Sequence, residues 1–280
     1  GHRTLLLGKN DFTWGTSSKS TKLIHGGVRY LAKGDIALVR EALRERGYLA
    51  RNAPHLVHDQ PFIIPVYRWG GGIIYTLGLA FYDLLAGRLS MGRSVYLSHR
   101  RVLEEMPGIT GEGLRGGVLY HDGQFDDSRL ALYLLHRFHE EGGVALNYCP
   151  VTSLIKDATG KVTGVQCRDR CGGQSMKIAA RGVINATGVW VDEILRMDRP
   201  DHRGMVTPSQ GIHLVLPREF LPGKHALMIP KTSDGRVLFA VPWYDRLVVG
   251  TTDTELERME EEPVPLEKEI RFILETAGKY

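Results

Sequence analysis

The segment Gly15–Leu31, GTSSKSTKLIHGGVRYL, concentrates hydroxyls, lysines, paired glycines, a histidine and an arginine, a mixture poorly suited to a core. Glycine lets a backbone approach a bulky ligand, and serine or threonine hydroxyls beside free N–H groups at a helix start can hold phosphate oxygens. His25 and Arg29 stand four apart. A helical turn after Gly27 would therefore project both toward one space, a proton acceptor beside a fixed cation. That pairing suits oxidation of an anionic alcohol.

Other clusters carry less. His55 with His58, and His136 with His139, are one helical turn apart, and Cys167 and Cys171 share a short run. None has the further ligands a metal needs, so these read as solvated helix faces and surface cysteines, and no metal is expected. Asp126 and Asp127 read as a helix cap rather than an acid–base pair. Trp243 and Tyr244, after Pro242, fit either a substrate site or core packing. Arg236 reads as a strand-surface charge, and Glu260, Glu261 and Glu262 as a solvated linker face.

The elements that must position these residues follow from periodicity. Arg3–Leu7 reads as an inner strand ending in a turn, and its position before a phosphate-type loop suggests a chain that begins inside a domain. Lys33–Asn52 is helical, with Asp35 as cap, Leu38, Val39, Leu43, Tyr48 and Leu49 as its apolar stripe, and Pro54 as stop. A second helix begins at Asp126 or Asp127, turns Leu130, Leu134, Leu135 and Phe138 to a core, and ends at Gly142-Gly143. Val144–Asn147 is strand. Pro150–Ala180 is three short strands, an antiparallel excursion before a buried-type strand at Gly182–Ala186. Val206–Thr252 alternates like an antiparallel domain, and Glu255–Tyr280 is an acidic segment and a helix.

The 280 residues are 42% hydrophobic and 24% charged, enough for a large core and a soft indication of two domains. A net charge of +4 without a lysine/arginine block gives no nucleic-acid footprint. Three cysteines make no disulfide framework, which favours a reducing compartment. No signal peptide is evident. Trp69–Gly87 approaches the length of a membrane span, but Asp83 and its glycines argue for a partly buried or membrane-surface helix flanked by Arg68, Arg88 and Arg93.

Asn10-Asp11-Phe12, the Gly15–Leu31 block, Gln124–Asp127, Asn185–Trp190 (NATGVW), Pro208–His213 (PSQGIH) and Gly250–Asp253 (GTTD) together resemble the flavin-dependent, quinone-linked glycerol-3-phosphate dehydrogenase family. NATG alone would indicate only the wider glycine/D-amino-acid oxidase-like superfamily. The resemblance implies an α/β (α+β) fold, with an FAD-binding Rossmann-like domain (1–57 and 122–204) interleaved with a mainly antiparallel substrate domain (58–121 and 205–280). It implies oxidation of sn-glycerol 3-phosphate to dihydroxyacetone phosphate with FAD as cofactor and quinone as acceptor. The chain would be cytoplasmic and peripheral at the cytoplasmic membrane, with a second copy of itself as a further partner.

By similarity, Ser17, Ser18, Ser20, Thr21, Lys22, Leu23 and Ile24 line the flavin and its diphosphate, joined by Gly26 and Gly27. Ala186, Thr187 and Gly188 approach the dinucleotide through backbone, and Val151 meets the adenine. His25 is the expected base for the C2 hydroxyl and Arg29 the phosphate or carbonyl anchor, with His213 and Thr252 completing the pocket. The chain departs from the family in two places. The glycine-rich turn of dinucleotide folds would precede Gly1, and Gly8 stands where an acidic residue usually binds ribose. The family's later Arg-Pro strand and lysine-bearing segment would follow Tyr280, so the chain reads as truncated at both ends. Two alternatives stay open: a catalytically silent fragment, and a related FAD-dependent amine or hydroxy-acid oxidase.

Overall fold

In chain order the strands of the computed structural model are β1 (Leu5–Leu7), β2 (Leu23–Ile24), β3 (Val57–Val66), β4 (Val95–Ser98), β5 (Gly116–Phe125), β6 (Val144–Leu146), β7 (Val151–Lys156), β8 (Val162–Arg168), β9 (Ser175–Ala179), β10 (Ser209–Gln210), β11 (His213–Pro217), β12 (Ala226–Ile229), β13 (Leu238–Trp243), β14 (Arg246–Gly250) and β15 (Thr254–Glu255). The helices are α1 (Val28–Leu31), α2 (Ile36–Asn52), α3 (Gly71–Ala86), α4 (His99–Glu105), α5 (Asp127–Glu140), α6 (Val191–Asp198) and α7 (Glu267–Ala277). Residues 1–31 and 33–280 are described.

The chain divides into two compact units. The first comprises Gly1–Lys19, Asp127–Gln210 and Glu255–Pro263, and the second Ser20–Asp126, Gly211–Thr254 and Val264–Tyr280. Residues 20–57, placed with the cofactor domain on sequence grounds, pack in the second unit. The reason is local: β2 hydrogen-bonds antiparallel to β5, and Val39 and Leu43 of α2 share a core with Phe62, Leu79, Tyr82 and Tyr120.

In the first unit, β1 and β6 form a parallel pair, and β7, β8 and β9 form an antiparallel three-stranded sheet. The Gly8 N–H donates to the Leu146 carbonyl and the Gly8 carbonyl accepts from Cys149, so both backbone groups of Gly8 extend the β1–β6 ladder. Two expectations fail here. β1 is one of only two strands in its sheet among the described residues, not an inner strand. Gly182–Ala186 forms no strand, and Ile184 is 91% exposed. Apolar residues favour an extended chain, but a strand exists only where a neighbour takes up its N–H and C=O groups.

Helix α5 also differs from its expected burial. Leu130, Leu135 and Phe138 are half-buried, whereas Leu132, Tyr133 and Leu134 are exposed. Cys167 is fully buried, contrary to the surface reading, because β8 is the middle strand of its sheet. Cys149 is buried nearby, and desolvation pushes its thiol up to about 11.

The second unit is built on a sheet ordered β11-β14-β13-β12-β3-β5-β2, with β4 also on β5. All pairings are antiparallel except β12 with β3. That parallel contact spans Phe62 and Ile63, between Pro61 and Pro65, whose missing N–H groups restrict pairing on either side. One face of the sheet carries Phe62, Ile64, Val118, Tyr120, Met228 and Val241 against α2 and α3. The other carries Ile63, Leu227, Ile229, Leu238 and Val249 against α4 and α7.

Asp35 caps α2 as expected, its carboxylate accepting from the Leu38 N–H at 3.2 Å. The buried stripe is Val39, Leu43, Arg46 and Gly47, while Leu38 and Tyr48 are exposed. Helix α3 buries Gly72, Leu79, Tyr82 and Ala86 and exposes Ile73, Ile74, Leu77, Phe81 and Leu84. Gly71–Leu89 is long and apolar enough, by length and composition alone, to cross a membrane.

Candidate active site

The hydroxyl-rich block is split between the two units, Gly15–Lys19 in the first and the residues from Ser20 onward in the second. In the first unit, Gly15–Ser18 form one 3-10 turn, with Ser17 exposed and Ser18 half-buried. Trp14 and Trp190 stack at 6.1 Å. Lys19 pairs with Glu262 at 3.0 Å and lies over the Trp14 ring, and Lys9 pairs with Glu261. The acidic run is therefore partly neutralised rather than simply solvated, and the Lys9 ammonium holds the Glu261 carboxyl below its ordinary range.

Val151 opens β7 opposite Cys167 and is half-buried. Ala186 and Thr187 lead, exposed, into a single 3-10 turn that Gly188 opens. Gly188 adopts φ +57, a left-handed conformation that favours glycine, and a Cβ built there meets nothing within 4 Å. The backbone at Gly188 therefore faces open space.

In the second unit, Ser20, Thr21 and Lys22 make a tight turn into β2. The Ser20 hydroxyl accepts from the Lys22 N–H at 3.0 Å, and Lys22 takes φ +63. Thr21 Oγ1 and His213 Nε2 are 2.8 Å apart. Burial, reinforced by the Lys22 cation, pushes the His213 pKa below its ordinary value, so the ring is neutral at pH 7. Leu23 and Ile24 continue into β2, half-buried, and Gly26 and Gly27 are buried.

Strand register joins His213 to His25. His213 and Phe239 both lie opposite Gly250, from β11 and β13 on either side of β14. Cross-strand neighbours share a face, and His25 stacks on Phe239 with ring centroids 6.5 Å apart. His25 and His213 therefore stand on the same face of the sheet. His25 Nδ1 accepts from the Gly27 N–H at 3.0 Å, so the neutral ring carries its proton on Nε2 and offers a donor edge.

Arg29 lies on the single turn of α1 and is exposed. Its Nη2 donates to the Tyr30 hydroxyl at 2.7 Å, with the guanidinium 4.8 Å from the Tyr30 ring centroid. Thr252 departs from expectation. It is 4% exposed, its Oγ1 accepts from the Ile212 N–H at 3.0 Å, and its hydroxyl donates to Glu269 at 3.2 Å. Glu269, which caps α7 by accepting from the Leu266 N–H, ties that helix to Thr252. The hydroxyl is occupied in structure rather than presented to a substrate.

Of the aromatics left open, Tyr244 is exposed at the β13–β14 turn, in edge contact with Trp243. Arg236 is not a solvated strand charge but is paired with Asp234 and Asp253. No group of three or more His, Cys, Asp or Glu side chains suited to a metal occurs among the described residues.

Two buried charges, Arg46 and Asp122, lie outside the sequence reading although the period of their elements marks both as inward. Arg46 falls in the buried stripe of α2, and Asp122 falls on the inward alternation of β5 after Val118 and Tyr120. A charge at an inward position requires a partner, and that rule was the available signal.

One unit carries a parallel strand pair and a three-stranded antiparallel sheet, the other a mainly antiparallel sheet, and the model of the FAD dependent oxidoreductase family, a class of flavoprotein oxidoreductases, matches residues 1–280. The chain belongs to that family. Within it, the chain is 41% identical over 292 residues to the mitochondrial glycerol-3-phosphate dehydrogenase of Homo sapiens, covering all of this chain and 40% of the relative. The mitochondrial enzyme of that name from Saccharomyces cerevisiae is 41% identical over 313 residues, 48% of its length.

Among solved structures, the glycerol-3-phosphate dehydrogenase from Bacillus halodurans complexed with FAD superposes with TM-score 0.77 at 33% identity, covering 99% of this chain and 48% of that one. A glycine oxidase from Bacillus cereus, TM-score 0.66 and 19% identity over 99% of this chain and 73% of that one, shares the fold. The chain spans less than half the length of the curated relatives it matches.

Proposed function

We propose that this chain carries the core of a glycerol-3-phosphate dehydrogenase, oxidising sn-glycerol 3-phosphate to dihydroxyacetone phosphate and passing electrons to quinone at a membrane surface. The observation that carries the reading is the pair of imidazoles, His25 and His213, on one face of the sheet, in a chain whose whole length aligns with 40% of a relative of that name.

Bound FAD supplies the hydride acceptor. By similarity, the residues that would hold it are Ser17, Ser18, Val151, Ala186, Thr187 and Gly188 in the first unit and Ser20, Thr21, Lys22, Leu23, Ile24, Gly26 and Gly27 in the second, the last two by lacking side chains, since their amides are taken up by Tyr82, Asp122 and His25. Oxidising an alcohol also removes the hydroxyl proton, and here the chain's own side chains act. His25 donates from Nε2 to the substrate oxygen and stabilises the charge that grows there. His213, held neutral beside the Thr21 hydroxyl, has the capacity to accept the proton at pH 7. The Arg29 guanidinium offers a planar fork of donors to the phosphate.

The membrane reading rests on α3. Ile73, Ile74, Leu77 and Leu84 are each about two-thirds exposed or more. Trp69 precedes the helix, and the exposed Arg68, Arg88 and Arg93 flank it. An apolar stripe bordered by an interfacial tryptophan and cations is the pattern of a helix lying in the headgroup region. A quinone acceptor dissolves in the same layer. The placement proposed is peripheral, at the cytoplasmic membrane, whereas the relatives named above are mitochondrial.

The test is flavin absorbance of the purified chain, followed by turnover with a dye acceptor. Bound FAD and oxidation of glycerol 3-phosphate, abolished in His25→Gln, are expected. A colourless protein that FAD does not stabilise would mean a silent fragment. Turnover of glycine or a D-amino acid but not glycerol 3-phosphate would mean a different oxidase.

A further inference from the structure

Three side chains from separate elements converge on one backbone amide. Arg46 comes from α2, Tyr82 from α3 and Asp122 from β5, and all are buried to within a few per cent. Asp122 Oδ1 accepts from Arg46 Nη1 at 2.6 Å, and Oδ2 accepts from the Tyr82 hydroxyl at 2.9 Å. Arg46 Nη1 also donates to the His121 carbonyl at 3.2 Å. The Gly26 N–H points into this cluster, 2.7 Å from the Tyr82 oxygen and 3.3 Å from Asp122 Oδ1.

The proton arrangement has a single consistent sense. An amide can only donate to Tyr82, so the phenolic O–H is directed at the carboxylate. Burial, and then the Asp122 charge, push the Tyr82 pKa well above its ordinary value, so that donor is permanent across the working pH range.

Stability alone is a poor reason for the cluster. A buried ion pair is often replaceable by apolar side chains without loss, and Arg46 Nε is buried with no hydrogen-bond partner. What the cluster does uniquely is grip the residue after His25. Leu43 and the Tyr82 hydroxyl leave no room for a side chain at Gly26, and the Gly27 amide holds the His25 ring directly. A cavity of about 540 Å³ lined by Leu23, Ile24, His25, Arg46 and Leu49 lies alongside. The turn faces that open space on one side and the Arg46–Asp122–Tyr82 cluster on the other.

We propose that Arg46, Asp122 and Tyr82 are positioning residues that hold the Gly26 amide, fix the His25–Gly27 turn in one geometry and thereby aim the His25 imidazole at the substrate. The aiming part rests on the reading of His25 as the substrate-facing imidazole.

The test uses Tyr82→Phe, which removes one oxygen, and Asp122→Asn, with Val102→Ala on α4 as a destabilised control remote from Gly26. Amide exchange of Gly26 is followed by NMR in the purified chain, and kcat and KM are measured after FAD loading. In Tyr82→Phe, Gly26 exchange rises about tenfold and kcat falls about tenfold, with KM for glycerol 3-phosphate within about twofold. Val102→Ala lowers Tm without either change. If Asp122→Asn fails to fold, Tyr82→Phe alone decides. Unchanged Gly26 exchange in Tyr82→Phe overturns the grip, and unchanged kcat, where His25→Gln does abolish turnover, overturns the aiming. If His25→Gln turns over like the parent protein, the reading of His25 fails instead, while faster Gly26 exchange still supports the grip.

Discussion

Replacing Thr252 with valine separates the two roles open to that residue. Valine keeps the shape and removes the hydroxyl, leaving the Ile212 N–H without the acceptor it has at 3.0 Å and Glu269 Oε1 without the donor at 3.2 Å. A buried donor left unsatisfied costs about 1–3 kcal/mol, and a hydrogen bond to a carboxylate contributes about 1.5–3 kcal/mol. The added buried methyl returns about 0.8 kcal/mol. The net loss is about 3 kcal/mol, which for domains of this size lowers Tm by roughly 6–12 °C. Thermal unfolding followed by circular dichroism measures it, with Thr252→Ser as the variant that restores the hydroxyl and most of the loss. A Tm unchanged in Thr252→Val, together with lost turnover, would refute the structural assignment and return Thr252 to the substrate pocket.

Two further outcomes are expected. His213 and His225 both have pKa values lowered by burial from the ordinary 6.5. The unfolded chain therefore takes up their protons first as the solution is acidified. Their contribution is intact above pH 6.5 and is lost as pH falls from 6.5 through the lower folded values. The double variant His213→Gln/His225→Gln should flatten the urea-midpoint profile below pH 6.5, and an unaltered slope would show that other groups set it. On α3, Ile74→Ser with Leu77→Ser should reduce sedimentation with anionic vesicles by about tenfold or more while leaving Tm nearly unchanged. Equal sedimentation would remove the membrane-surface reading.

Much of the architecture was legible in local patterns. The Asp35 cap of α2, the β7–β9 excursion with its turns, and the alternation of the later strands are all short-range signals, and the structure bears them out. Failures came where pairing decides. Gly182–Ala186 has strand composition but no ladder. Arg46 and Asp122 sit at inward positions of their own elements, but their pairing shows only when α2 and β5 are brought together.

The amino-acid sequence by itself determined the family, because the Gly15–Leu31 block and NATGVW are contiguous and carry their meaning in order. Tertiary structure alone decided that Thr252 is buried under α7, that His213 is neutral, and that the His25 donor edge is set by the Gly27 amide. Those properties depend on desolvation and on bonds between residues distant in sequence, which no window of residues contains.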